Sequence, residues 1–207
     1  MEDLHTEALE LWAGAEAKAA GIVFLNPGFH DFVLENGARL RVYATPCTPY
    51  PTGVDGSEWA FGYSSSQDTY NPPETGIWYS NSDERKEMIL TDGKRGQVEI
   101  LISHGPPRHR LDRTEEGDNV GCKNLFRAVR RIRPRVHAFG HVQASHGAER
   151  VTWKEEGELP KDDDVDDGVA GVQKYAGVVG GNNVLRLRRG RLKKRCLLML
   201  RLWERMD

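Results

Sequence analysis

The sequence is poor in cysteine and has no long apolar run, and both shortages narrow what the chain can be. Its three cysteines, Cys47, Cys122 and Cys196, lie far apart, are odd in number and show no CxxC spacing. That pattern argues against a disulfide framework and against a cysteine-ligated zinc site. No stretch approaches the roughly 18 apolar residues needed to span a bilayer. The N-terminus is acidic and amphipathic, without a basic-then-apolar leader, so the expected location is cytoplasmic.

What is present suits a soluble globular chain. Of 207 residues, 38% are apolar and 29% charged, enough for one domain with a substantial core. The 22 glycines and 10 prolines announce many turns. A net charge of −2 conceals an asymmetry: residues 155–167 carry eight acids and one lysine, while residues 184–207 carry nine Arg or Lys against two acids.

Periodicity gives a coarse map. Leu4, Ala8, Leu11, Trp12, Ala15 and Ala19 recur at helical spacing, predicting a helix over 3–20 that stops at Gly21. Strands are expected at 22–25, 29–34 and 39–45, the last two joined by a two-residue turn at Asn36-Gly37. Residues 46–96 show little periodicity. Trp59, Phe61, Tyr63 and Trp78 either line a pocket there or pack the loop onto the core.

The informative segment is 97–141. Residues 98–102 read as a buried strand, stopped by Ser103-His104-Gly105-Pro106-Pro107. Cys122, Leu125, Phe126, Val129 and Ile132 form a helical stripe, with Asp118 or Asn119 as the expected N-cap and Pro134 as the stop. Residues 136–139 are a second strand, running into Gly140-His141. Such a strand–helix–strand unit places its strands parallel, and ligands gather beyond the carboxyl ends of parallel strands. Two imidazoles leaving neighbouring strand ends can meet on one ion, about 2.1 Å from each nitrogen. His104 and His141 are therefore the candidate ligands. A further strand is expected at 148–153.

Ser103-His104-Gly105-Pro106-Pro107, the Val120-Gly121-Cys122 helix start and Val136-His137-Ala138-Phe139-Gly140-His141-Val142-Gln143 resemble the last two motifs of the calcineurin-like metallophosphoesterases. The nearest subgroup is the small eukaryotic one with HGPP and GHxH motifs. The resemblance implies an α/β fold: the C-terminal part of an αββα sandwich, over 1–153, lacking its N-terminal strands. It also implies a pair of divalent ions (Mn, Fe or Zn) acting on a phosphoester substrate. His104 and His141 would be ligands of one ion and catalytic residues.

The sequence departs from that family twice. Gln143 stands where GHxH has its second histidine, so an amide oxygen would serve the other ion. The Asp-x-His, Gly-Asp and Gly-Asn-His motifs, which precede the first helix in the family, are missing; His5 follows Asp3 at the right interval, but on a helix. The expectation is a truncated phosphoester hydrolase with weak activity or none.

Residues 154–183 are expected to be an acidic, Gly-rich flexible segment, and 184–207 a basic tail. Leu192, Cys196, Leu197, Leu200 and Trp203 fit one face of an amphipathic helix. Three readings stay open for the tail: a reading-frame artefact, packing against the core, or a binding element. The last supplies the rival function, a non-catalytic protein binding nucleic acid or an anionic membrane.

Overall fold

The computed structural model describes residues 2–50, 54–56, 61–71, 98–154, 168–175 and 196–201, with side chains for all of these except 2–5 and 196–201. Trp59, Trp78, Leu192 and Trp203, singled out above, lie outside the described residues, as does the acidic run 155–167.

The N-terminal helix forms as two pieces, α1 (Glu2–Ala13) and α2 (Ala15–Ala19). The break falls at Gly14, where a Cβ would come within 2.2 Å of the Glu10 carbonyl oxygen. Gly21 follows with φ +77°, the left-handed conformation glycine adopts without steric cost. Within the apolar stripe of α1, Leu11 is 65% and Trp12 52% exposed.

Residues 22–25, expected as a strand, are irregular. The chain then forms the hairpin β1 (Gly28–Val33) and β2 (Arg39–Thr45), antiparallel from Gly28↔Ala44 to Val33↔Arg39. Its connection is five residues long rather than two. Gly37 alone takes positive φ, and the Asn36 side chain accepts the Ala38 N–H at 3.0 Å.

In the long loop, β3 (Thr48–Tyr50) and β4 (Gly62–Ser64) pair in parallel as a small separate sheet. Tyr63 and Tyr70 turn into the core, and the Tyr70 hydroxyl donates to the Cys47 carbonyl at 3.0 Å. Phe61 is 57% exposed. Packing therefore accounts for Tyr63.

The central unit is β5 (Ile100–Ser103), α3 (Lys123–Ile132) and β6 (Val136–Phe139), with β5 and β6 parallel. Leu125, Phe126, Ala128, Val129 and Ile132 are buried on α3. Each large side chain removed from water there contributes roughly 1.5–3 kcal/mol. Arg133 closes the helix in a left-handed conformation, its N–H donating to the Val129 carbonyl, before Pro134.

The N-cap is not Asp118 or Asn119. Those residues belong to a tight turn in which the Thr114 N–H donates to the Asp118 carbonyl and Arg113 bridges Asn119. Cys122 caps instead, its Sγ accepting the Leu125 N–H at 3.3 Å.

Beyond β6 come a 3₁₀ turn (Gln143–Ser145), β7 (Ala148–Trp153), β8 (Val169–Tyr175) and β9 (Cys196–Arg201). Among the described residues the main sheet has seven strands in the order β1-β2-β5-β6-β9-β7-β8. β9 lies between β6, to which it is parallel, and β7, to which it is antiparallel. This corrects the helical reading of Cys196, Leu197 and Leu200, because that segment closes the gap between two sheet strands. β8 likewise falls within the stretch expected to be flexible. The architecture is mixed α/β.

Candidate metal centre and its supports

β5 and β6 end side by side, with Ile102 opposite Ala138. The chain leaves β5 through His104, whose N–H donates to the Thr45 carbonyl at 3.1 Å. It leaves β6 through Gly140, whose N–H donates to the His104 carbonyl at 2.9 Å. One backbone bond thus ties the two exits together. His141 then takes φ +72°, a conformation that costs a non-glycine residue on the order of 1 kcal/mol.

The outcome is close contact between two exposed imidazoles. His104 Nε2 and His141 Nδ1 are 3.1 Å apart, with ring centroids 4.9 Å apart and planes inclined by 55°. One ring donates to the other. Two nitrogens at that separation, each about 2.1 Å from a common cation, would subtend roughly 95° at it, within the range that tetrahedral and octahedral ions accept. Coordination would need both nitrogens as lone-pair donors, so it would displace the proton they share.

The described residues do not complete a coordination sphere nearby. Gln143 lies exposed on the 3₁₀ turn, and His146 is also exposed. Among the described residues, no group of three or more His, Cys, Asp or Glu side chains is gathered to hold a metal ion. Two imidazoles fit one edge of an ion; the described residues do not fit a two-ion centre.

The segment after His104 is fastened to the start of α3. The Cys122 N–H donates to the Pro106 carbonyl at 3.0 Å, and the Arg108 N–H to the Cys122 carbonyl at 3.1 Å. Buried Asp112 accepts the backbone N–H groups of both His109 and Gly121 at 3.0 Å on one oxygen. A Cβ on Gly121 would lie 2.6 Å from the Pro107 carbonyl oxygen, so this crossing requires glycine. Gly121→Ala is expected to destabilise the fold by about 1–3 kcal/mol, the usual cost of overpacking; an unchanged urea midpoint would contradict the close crossing.

Cys122 is a structural thiol. It contacts the Tyr63 hydroxyl at 3.0 Å, and burial raises the pKa of both groups. A raised thiol pKa disfavours the reactive thiolate.

Sequence reading passed over two buried polar groups behind the histidines. Ser103 and His137 form a 2.7 Å hydrogen bond beneath the site. The available signal was a histidine inside an otherwise apolar strand, Val136-His137-Ala138-Phe139. A cleft of about 630 Å³ also opens between loop 109–113, residues 145–149 and the end of β8. Buried Glu149 lies in it, 3.7 Å from Arg110 and 3.6 Å from Lys174.

No family model matches the chain. Curated proteins do. The human metallophosphoesterase domain-containing protein 1 is 46% identical over 110 residues, 52% of this chain and 27% of its own length. A UPF0046 protein of Caenorhabditis elegans is 44% identical over 115 residues, 55% of this chain and 36% of its own. An Emericella nidulans protein named probable rhamnogalacturonate lyase C is 37% identical over 119 residues, 56% of this chain but 9% of that protein; the activity in its name belongs to a protein of which this stretch is a small share. The chain thus spans between about a fifth and a third of the length of its metallophosphoesterase and UPF0046 relatives. Over the matched half of its length, these similarities support a relation to the C-terminal part of a calcineurin-like metallophosphoesterase.

Proposed function

We propose that the chain carries the two-histidine share of a metal-dependent phosphoester hydrolase, within a partial αββα sandwich. His104 and His141 are then ligands of one divalent ion, of the Mn, Fe or Zn class, and Gln143 the weak donor toward a second. The observation that supports this is the 3.1 Å approach of two exposed imidazoles at adjacent parallel strand ends. The named relatives support the hydrolase family.

A hydrolytic two-ion centre generates its nucleophile by lowering the pKa of bound water from 15.7 to about 7. Two imidazoles and an exposed amide do not build such a centre, so single-ion binding with little turnover is the behaviour proposed for this chain. The rival reading, a basic amphipathic helix on nucleic acid or membrane, is weakened by β9, which places Cys196–Arg201 in the sheet.

Calorimetric titration of Zn²⁺ and Mn²⁺ into the full chain tests the proposal. One weak binding event is expected, lost in His104→Ala and again in His141→Ala, with phosphodiester hydrolysis near background. Equal metal binding by wild type and both variants would refute the assignment. Turnover abolished by His104→Ala would instead show a competent enzyme.

A further inference from the structure

His137 is wholly buried on β6 and reaches across to β5, where Leu101 is its register partner. Its Nε2 meets Ser103 Oγ at 2.7 Å, and the same Oγ lies 2.7 Å from the Gly105 carbonyl oxygen. Proton counting then fixes every direction. A carbonyl can only accept, so the one hydroxyl proton of Ser103 goes to Gly105. The Ser103 oxygen must therefore accept from His137, which carries its proton on Nε2. Nδ1 of His137 has no hydrogen-bond partner among the described residues, so a proton there would be a buried donor left unsatisfied.

The hydrogen-bond chain ends on the residues that bracket His104. Ser103 fixes the carbonyl one residue after that histidine, while His104 itself is held by its own N–H on Thr45 and its carbonyl under Gly140. Rotation of the 105–106 peptide, which carries the Gly105 carbonyl, would break the Ser103–Gly105 bond and strand His137. We propose that His137, donating through Nε2 to Ser103, is the positioning residue that aims the His104 imidazole at His141. The inference rests on the reading of His104 as a metal ligand, and deepens it. It does not make His137 a ligand: its ring lies behind the strand ends, on the buried side. Outer-shell partners of this kind commonly alter metal affinity about 10–100-fold when removed.

The test uses the full chain with Co²⁺ as the probe, read by visible absorption, beside urea unfolding of each metal-free variant. His137→Phe and Ser103→Ala are each expected to weaken Co²⁺ binding at least about tenfold. His137→Gln, which keeps a donor, should restore affinity close to wild type. The Ser103→Ala/His137→Phe double variant should bind no more weakly than the poorer single variant, since both cut one chain. A merely structural role predicts affinity that tracks unfolding stability across the set, and that result would overturn the proposal.

Should His104→Ala abolish cobalt binding while His137→Phe leaves it unchanged, the positioning role fails and the ligand role stands. Should wild type bind no cobalt, the ligand role fails. The imidazole NMR signals of His104 in the metal-free chain then decide the positioning role: displaced in His137→Phe and native in His137→Gln if it holds, unmoved in both if it does not. If His137→Phe does not fold, Ser103→Ala carries both measurements.

Discussion

Replacing Trp153 with alanine is expected to cost about 3–5 kcal/mol of folding stability, the range for truncating a buried large aromatic. Trp153 ends β7 and is 2% exposed. Its ring lies 6.3 Å from Phe126 on α3, and the Arg133 guanidinium stacks 5.6 Å above it. One side chain therefore fastens the helix to the β7 side of the sheet, so its removal opens a cavity between two layers. Trp153→Phe should cost far less, because the indole N–H has no hydrogen-bond partner among the described residues. Removing an unsatisfied buried donor recovers about 1–3 kcal/mol, against the smaller volume lost. Urea unfolding of the two variants checks the pair, and equal losses would deny Trp153 its place between the layers.

The parts of this fold legible in sequence are those whose signals are local. The β1–β2 hairpin follows from alternation around Asn36-Gly37, and β5–α3–β6 from two short apolar runs flanking a helical stripe punctuated by proline. The placement of His104 and His141 at the ends of neighbouring strands was legible for the same reason, each lying within two residues of its strand's end. What escaped depends on distant partners. Cys-Leu-Leu-Met-Leu-Arg alternates no better as a strand than it spirals as a helix, and its pairing with Val136–Phe139 and with β7 decides the matter. Conversely, Ile22, Val23 and Phe24 have strand composition but stay exposed and irregular, since β propensity is realised only against a neighbour. Asp118 and Asn119 have the chemistry of helix caps but are used in the turn between Arg113 and Asn119, which leaves the position to a cysteine. The Ser103–His137 pair needed the β5–β6 register before either residue had a partner.

That pair also sets an acid limit on stability. Burial lowers the pKa of His137 from 6.5 to about 3, so the folded chain holds this ring neutral while the unfolded chain protonates it. The unfolded state therefore binds the extra proton between those two values, and stability falls as pH drops through that window. Above about pH 6.5 the ring contributes no penalty. Below it, the loss is about 1.4 kcal/mol per pH unit, levelling off near pH 3. By pH 4.5, wild type should have lost roughly 2–3 kcal/mol more than His137→Gln, which keeps the donor to Ser103 but cannot titrate. Comparing the two proteins cancels the carboxylates and the remaining histidines, which both share. Urea unfolding at intervals from pH 7 to 4.5 measures the difference. Parallel curves would mean that His137 is protonated inside the fold, and Nδ1 would then have a hydrogen-bond partner there.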